Sequence, residues 1–278
     1  MASNLLSSLP QIRVSLLVGI GSGIARPDQG RDIRLGDIAV SQPQGTSGGV
    51  IQYDLGKVNS DNEWEQKGFL GMPPLVLLNA LANLQAEHEA GEIRLPEILD
   101  SMRKLNKGVN GYSHQGFEND RLFKSSYSHD GAYSCRDCDV EEQIERIPRD
   151  TTEPEVHYGV IASGGTLVKD AMTRDTLVER VGEECICFEM KAAGLMNAFP
   201  CLVIRGICDY ANSHTNDQWQ RYASATAAAY GKELLQYVPT HALQSTDTAL
   251  NILKSSQSQS ISISSKRINL IIPKWTRK

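Results

Sequence analysis

The sequence predicts an α/β protein: a three-layer α/β/α sandwich built on a mixed, twisted sheet. Three observations carry this reading. Four short apolar runs rich in β-branched residues read as buried strands. Segments with helical spacing lie between them, and such alternation calls for a mainly parallel or mixed sheet covered on both faces. The 278 residues are 40% hydrophobic and 22% charged, the balance of one sizeable globular domain.

Taken in order, the buried strands are Val14–Ile20 (VSLLVGI), Val156–Ala162 (VHYGVIA), Cys185–Glu189 (CICFE) and Cys201–Ile207 (CLVIRGI). Ile38–Ser41 and Gly49–Tyr53 read as further, more exposed strands. Helical spacing marks Pro74–Glu89, with Leu75, Leu78, Leu81 and Leu84 at near-helical intervals behind prolines tolerated in a first turn. It also marks Asp170–Val181, the short Met190–Asn197 and the Ala-rich Gln218–Tyr237. Residues 107–152 are polar, with few apolar positions in phase, and read as a long surface excursion from a domain spanning 1–238. Residues 239–278, rich in Ser, Thr and Gln, read as a flexible tail or linker, within which Ile268–Ile272 could form a short strand.

The bulk properties exclude several classes. A net charge of -5 and a pI near 5.7 leave no basic face for nucleic acid. No apolar run approaches the roughly 20 residues of a membrane helix, and Met1–Pro10 has neither a basic n-region nor a long apolar h-region. Six cysteines in a chain this long do not make a disulfide framework, so a reduced, cytoplasmic setting is expected. An apolar edge on Val14–Ile20 would favour self-association, so a homo-oligomer is an expectation.

Three motifs sit where strands end. Gly19-Ile20-Gly21-Ser22-Gly23 follows the first strand. Glycines there let backbone approach a ligand, and Ser22 with free N–H groups can hold phosphate or ribose oxygens, although such a turn can be purely structural. It has neither the Lys-Ser/Thr of a Walker loop nor a following helix. Glu189-Met190-Lys191-Ala192-Ala193-Gly194 lies where a strand passes into a helix, the edge at which open α/β sheets bind ligands. Its carboxylate can accept from sugar hydroxyls and its methionine can cover a sugar face; a capped strand end with a core methionine is the alternative. Arg205-Gly206-Ile207-Cys208-Asp209-Tyr210-Ala211 ends the next strand. A carboxyl group shielded from water here can pass a proton to a leaving group, and a turn cap is the alternative.

The stretches LLVGIGSGIA, DIRLGDIAVSQP, GGVIQYDLGK, VHYGVIASG, CFEMKAAGLMNAFPCLVIRGICDYA and ATAAAYGKELL together resemble the purine and uridine phosphorylase superfamily, which includes the methylthioadenosine/S-adenosylhomocysteine nucleosidases. The likeness covers about residues 1–237 and points to the fungal branch found in NLR-like signalling proteins. It implies a nucleoside phosphorylase-like fold, no cofactor, and cleavage of the N-glycosidic bond of a purine nucleoside or nucleotide. On this resemblance Gly21, Ser22 and Gly23 approach the sugar or phosphate, and Leu167 and Val168 line the base. Glu189, Met190 and the Lys191 position hold the ribose, and Asp209 protonates the purine at N7. Arg205 resembles a position that orients neighbours of that aspartate; a structural ion pair is the other reading.

Three departures from the family pattern stand out. The family has a further strand-rich segment ahead of SLPQIRVSLLVGIG, so the first strands of the sheet and the group that activates the nucleophile are expected to be missing. Lys191 replaces the second carboxylate of Glu-Met-Glu, and an ammonium cannot accept hydrogen bonds from ribose. Gly19-Ile20 stands where phosphorylases place a phosphate-gripping arginine, which favours hydrolysis. The rival reading is a non-catalytic nucleoside-sensing or assembly module. Cys135-Arg-Asp-Cys138 with His129 nearby is half a zinc site, which Asp130 or Asp139 would have to complete. A lone CxxC without partner ligands is weak, and no metal is expected.

Overall fold

The computed structural model describes residues 6, 8–58, 60, 64–106, 109–129, 135–182, 184–196, 199–214 and 217–255. It is a mixed α/β fold. The strands are β1 (Leu16–Gly23), β2 (Ile38–Ser41), β3 (Val50–Gln52), β4 (Gly56–Val58), β5 (Trp64–Gln66), β6 (Val156–Ser163), β7 (Cys185–Glu189) and β8 (Leu202–Asp209). The helices are α1 (Leu75–Glu89), α2 (Leu95–Leu105), α3 (Ala171–Val181), α4 (Ala193–Met196), α5 (Gln220–Leu235) and α6 (Thr240–Ser245).

Six strands form the main sheet in the order β2-β8-β1-β7-β6-β3, and β2 also pairs with β6. That second pairing closes five strands into a ring. It also corrects the expectation that Ile38–Ser41 is more exposed than the four apolar strands: all four residues are fully buried, because β2 runs antiparallel to β8 and parallel to β6. The ring is thinnest between β1 and β7, which share only Ser22↔Phe188 and Gly23↔Cys187. Among the described residues, Leu16–Gly21 therefore have a registered strand partner on the β8 side alone.

Helices α1, α2 and α5 pack on one face of the sheet. Leu77, Leu81, Leu84, Leu95 and Tyr230 meet Ile38, Val40, Leu202 and Ile204 there. In α1 the buried stripe is Val76, Leu77, Ala80, Leu81 and Leu84, whereas Leu75 is exposed. A strict three-residue repeat drifts round a 3.6-residue helix, so the buried face follows the i, i+3, i+4, i+7 rule instead. Helix α2 had no counterpart in the sequence reading. Pro96 in its first turn and the Leu95, Ile98, Leu99 spacing account for it. Elsewhere α3 sets Val178 and Val181 against Val160, Ala162, Cys185 and Phe188.

Two expectations about irregular regions change. The described residues of the 107–152 segment hold single 3-10 turns and one isolated bridge, Phe123↔Gln143, yet Asp120, Leu122 and Phe123 among them are buried. These residues join the core through ion pairs and scattered contacts that leave no periodic trace. Residues 249–255 are helical, and Ala249 packs on Leu6 and Phe199 while its N–H donates to the Ile12 carbonyl at 2.8 Å. The start of the supposed tail is thus docked on the body. Ile268–Ile272 lies outside the described residues.

Candidate active site

The ends of β1, β7 and β8 open on one cavity of about 390 Å³, within the range of small-molecule sites. Ser22 lies in β1, Glu189 ends β7 and Asp209 ends β8. Parallel β1 and β8 stay in step from Leu16↔Leu202 to Gly21↔Ile207, then slip so that Ser22 faces Asp209. Such a bulge re-aims side chains at a strand end, and it carries Asp209 to the cavity wall.

Of the residues expected at the site, Gly21, Ser22, Leu167, Val168, Glu189, Met190, Lys191 and Asp209 line this cavity. Gly23 does not. A Cβ there would meet Ile207 Cγ2 at 2.8 Å and Ile33 Cγ2 at 3.1 Å, so close packing explains that glycine. Gly21 is constrained as well as exposed to the cavity, since its Cβ would lie 2.6 Å from Cys187 Sγ. Met190 is 38% exposed, which rules out the reading of a core methionine.

Glu189 is buried and heavily engaged. Its Oε1 accepts from Ala192 N and its Oε2 from Lys191 N, both at 2.9 Å, and the Arg205 guanidinium pairs with Oε2. Arg205 therefore serves Glu189 rather than Asp209. Asp209 is half-buried, and its Oδ1 accepts from Ala211 N at 2.9 Å. The Cys208 thiol donates to Oδ2 at 3.3 Å. Ala211 adopts a positive φ of 52°, a strained value for a residue with a Cβ, which closes the turn on Asp209. The capped-strand and turn-cap readings thus hold for Glu189 and Asp209 at the same time as the cavity-lining one.

Asp120 and Arg146 brace the loop behind Asp209. The Tyr210 hydroxyl donates to Asp120, and Arg146 reaches that hydroxyl at 2.9 Å and Asp120 at 3.0 Å. Burial pushes the Tyr210 phenol well up, helped by the Asp120 charge and opposed by Arg146. From α3, Arg174 donates to the Tyr210 carbonyl at 3.0 Å.

The sequence reading missed the aromatic wall. Tyr53 and Phe188 meet edge-to-face at 5.5 Å and both line the cavity; the Tyr53 hydroxyl donates to the Thr166 carbonyl. Phe188 stood inside the CFEM block, but nothing local marked Tyr53 as its neighbour.

The fold and site together define a mixed α/β protein with a sheet-end pocket flanked by two carboxylates. No protein-family model matches the chain. A relative from Hyaloscypha variabilis (strain UAMH 11265 / GT02V1 / F), named a nucleotide-binding leucine-rich repeat (NLR)-like protein, is 43% identical over 233 residues. That match covers 84% of this chain but 22% of the relative, so the chain spans about a fifth of the relative's length. Among solved structures, the 5'-methylthioadenosine/S-adenosyl homocysteine nucleosidase of Helicobacter pylori aligns over 84% of this chain and 72% of its own, at 14% identity and a TM-score of 0.44. The corresponding nucleosidase of Neisseria meningitidis, in complex with methylthio-immucillin-A, covers 81% and 69% at 15% identity and a TM-score of 0.44. Futalosine hydrolase of Helicobacter pylori covers 84% and 72% at 13% and 0.41. Among the described residues no helix is long and apolar enough to cross a membrane.

Proposed function

We propose that this chain is a nucleoside phosphorylase-type three-layer α/β/α domain that binds a purine nucleoside or nucleotide and cleaves its N-glycosidic bond. The observation that carries the reading is the convergence of Ser22, Glu189-Met190 and Asp209 on one cavity, in segments whose sequence resembles that superfamily. The base lies against Phe188, Leu167 and Val168, and Met190 covers the sugar. Asp209 passes its proton to N7 as the bond to C1′ breaks, so the base leaves neutral. Water adds to the oxocarbenium-like carbon and gives up one proton, which returns directly or through solvent to Asp209, leaving free base and sugar. Hydrolysis is preferred over phosphorolysis because a side chain at Gly19 would compete with the Arg205 guanidinium, 2.1 Å from a Cβ built there. The six free cysteines support a reducing, cytoplasmic setting.

A second reading, a nucleoside-sensing module of a larger signalling protein, is favoured by the engagement of Glu189 with Arg205 and by the NLR-like relative. Base release from adenosine, inosine and AMP in phosphate-free buffer, with calorimetric binding alongside, separates the two. On the enzyme reading, Asp209→Asn lowers kcat by roughly 100-fold or more with binding kept. Lys191→Glu restores an acceptor for ribose and raises kcat/KM by roughly tenfold. Saturable binding without base release assigns the sensor role. Neither binding nor release rejects the pocket assignment.

A further inference from the structure

Cys135 and Cys138 frame a single 3-10 turn, Cys135–Asp137, on the long irregular segment. The structure brings two imidazoles to them. His129 Nδ1 lies 3.1 Å from Cys138 Sγ. His214 Nδ1 lies 3.7 Å from both Cys135 Sγ and Cys138 Sγ. The four ligand atoms all fall within 4.8 Å of one another. Bonds of about 2.3 Å to sulfur and about 2.0–2.1 Å to nitrogen at tetrahedral angles set neighbouring ligand atoms roughly 3.3–3.8 Å apart. The three sulfur–nitrogen spacings, 3.1, 3.7 and 3.7 Å, lie within about 0.5 Å of such an edge.

The surroundings orient the cluster. His214 Nε2 faces the Tyr127 carbonyl at 3.1 Å. A carbonyl can only accept, so the proton sits on Nε2 and the bare Nδ1 lone pair points at the sulfurs. This is the outer-sphere arrangement that fixes a metal-binding imidazole. The ring stacks on Phe123 with centroids 4.0 Å apart. Arg121 donates to the backbone carbonyls of Cys135 and of Cys138, the latter at 3.0 Å, while the His129 N–H donates to Ser213 Oγ at 2.8 Å. Cys138 and His214 are buried. Among the described residues, His214 and not Asp139 takes the fourth position. The Asp139 carboxylate instead accepts from Glu141 N at 2.9 Å, and Asp130 lies outside the described residues. The completing group, His214, stands 76 residues beyond Cys138.

We propose that His129, Cys135, Cys138 and His214 bind one zinc ion in a closed, structural Cys2His2 site. Its place in the fold gives it a task. Three ligands belong to the 107–152 segment, and the fourth follows the loop of Asp209, Tyr210 and Ala211. The ion pins that segment to the strand end that presents Asp209. Both thiols coordinate as thiolates, and their protons pass to solvent. The competing account is a set of thiol–imidazole hydrogen bonds with no ion.

The test uses the full 278-residue chain, expressed with zinc, desalted and assayed by plasma mass spectrometry. One zinc per chain is expected, falling to roughly a fifth or less in Cys138→Ser and in His214→Ala, with Asp139→Asn unchanged. Exchange into Co²⁺ should give thiolate-to-metal charge-transfer and tetrahedral d–d bands that Cys138→Ser abolishes. Should His214→Ala fail to fold, Cys135→Ser with circular dichroism as a control carries the same comparison. A folded wild-type chain that takes up neither Zn²⁺ nor Co²⁺ overturns the proposal. So does a Cys135–Cys138 disulfide in protein purified under reductant, or equal metal loss in Asp139→Asn and Cys138→Ser.

Discussion

Glu189 reaches the cavity with three of its roughly four acceptor positions already taken, by two backbone N–H groups and Arg205. Both charged side chains are almost wholly buried. A buried pair of this kind contributes little compared with apolar packing, but removing one partner strands the other charge in a poor solvent. Arg205→Met should therefore cost about 3–5 kcal/mol in urea unfolding. Glu189→Gln removes the charge and keeps one oxygen to accept from the Ala192 or the Lys191 N–H, while its NH2 faces the other, so the double substitution should recover part of that loss. A double-mutant cycle that shows simple additivity would mean that the two charges act independently.

At the scale of elements, the contact between β8 and α5 decides how the site strand sits. Gly206 lies in the middle of β8, and a Cβ there would fall 1.8 Å from the Ala223 carbonyl oxygen. Small residues on the helix side, Ala223, Ala225, Ala227 and Ala229, are all buried, which lets helix backbone and strand backbone approach closely. The obstacle at Gly206 is backbone, so no rotamer change relieves it. Gly206→Ala should reach or exceed the upper end of the ~1–3 kcal/mol typical of overpacking, read as a fall in the urea midpoint at unchanged m-value. Gly194→Ala, with no heavy atom within 4 Å of its Cβ, is the control and should be near neutral.

Across the whole molecule, Asp37 joins distant parts of the chain. It accepts from Arg149 Nη1 at 2.7 Å, His157 Nε2 at 2.9 Å and the Glu155 N–H at 3.0 Å, and from the Arg34 N–H at 2.8 Å. Burial alone would raise its pKa, but the hydrogen bonds and charges of His157 and Arg149 outweigh burial, and the net shift is downward. A folded-state pKa below the unfolded one stabilises the fold fully above the unfolded value, near 4. That stabilisation is lost as pH falls from there through the lower folded value. Wild type should lose stability steeply below about pH 5, and Asp37→Asn should start roughly 3–5 kcal/mol lower at neutral pH with a flatter acid limb. Parallel acid limbs in the two proteins would show that other carboxylates set the acid transition.

The sequence alone determined the apolar strands β1, β6, β7 and β8 and three of the larger helices, because burial leaves a local period in the order of residues. It also marked Ser22, Glu189 and Asp209 on the cavity wall, since each stands at the end of a readable strand. Helix α2 is legible too, in Pro96 and the Leu95, Ile98, Leu99 stripe. Other features came only from the path of the chain in space: β2 closing the ring between β6 and β8, Tyr53 facing Phe188, and Arg205 serving Glu189 rather than Asp209. The same holds for His214, which a search for a nearby fourth ligand could not find. Periodicity records which residues avoid water, whereas the partner of a buried charge or thiol is whichever group the folded chain delivers, at any separation along the sequence.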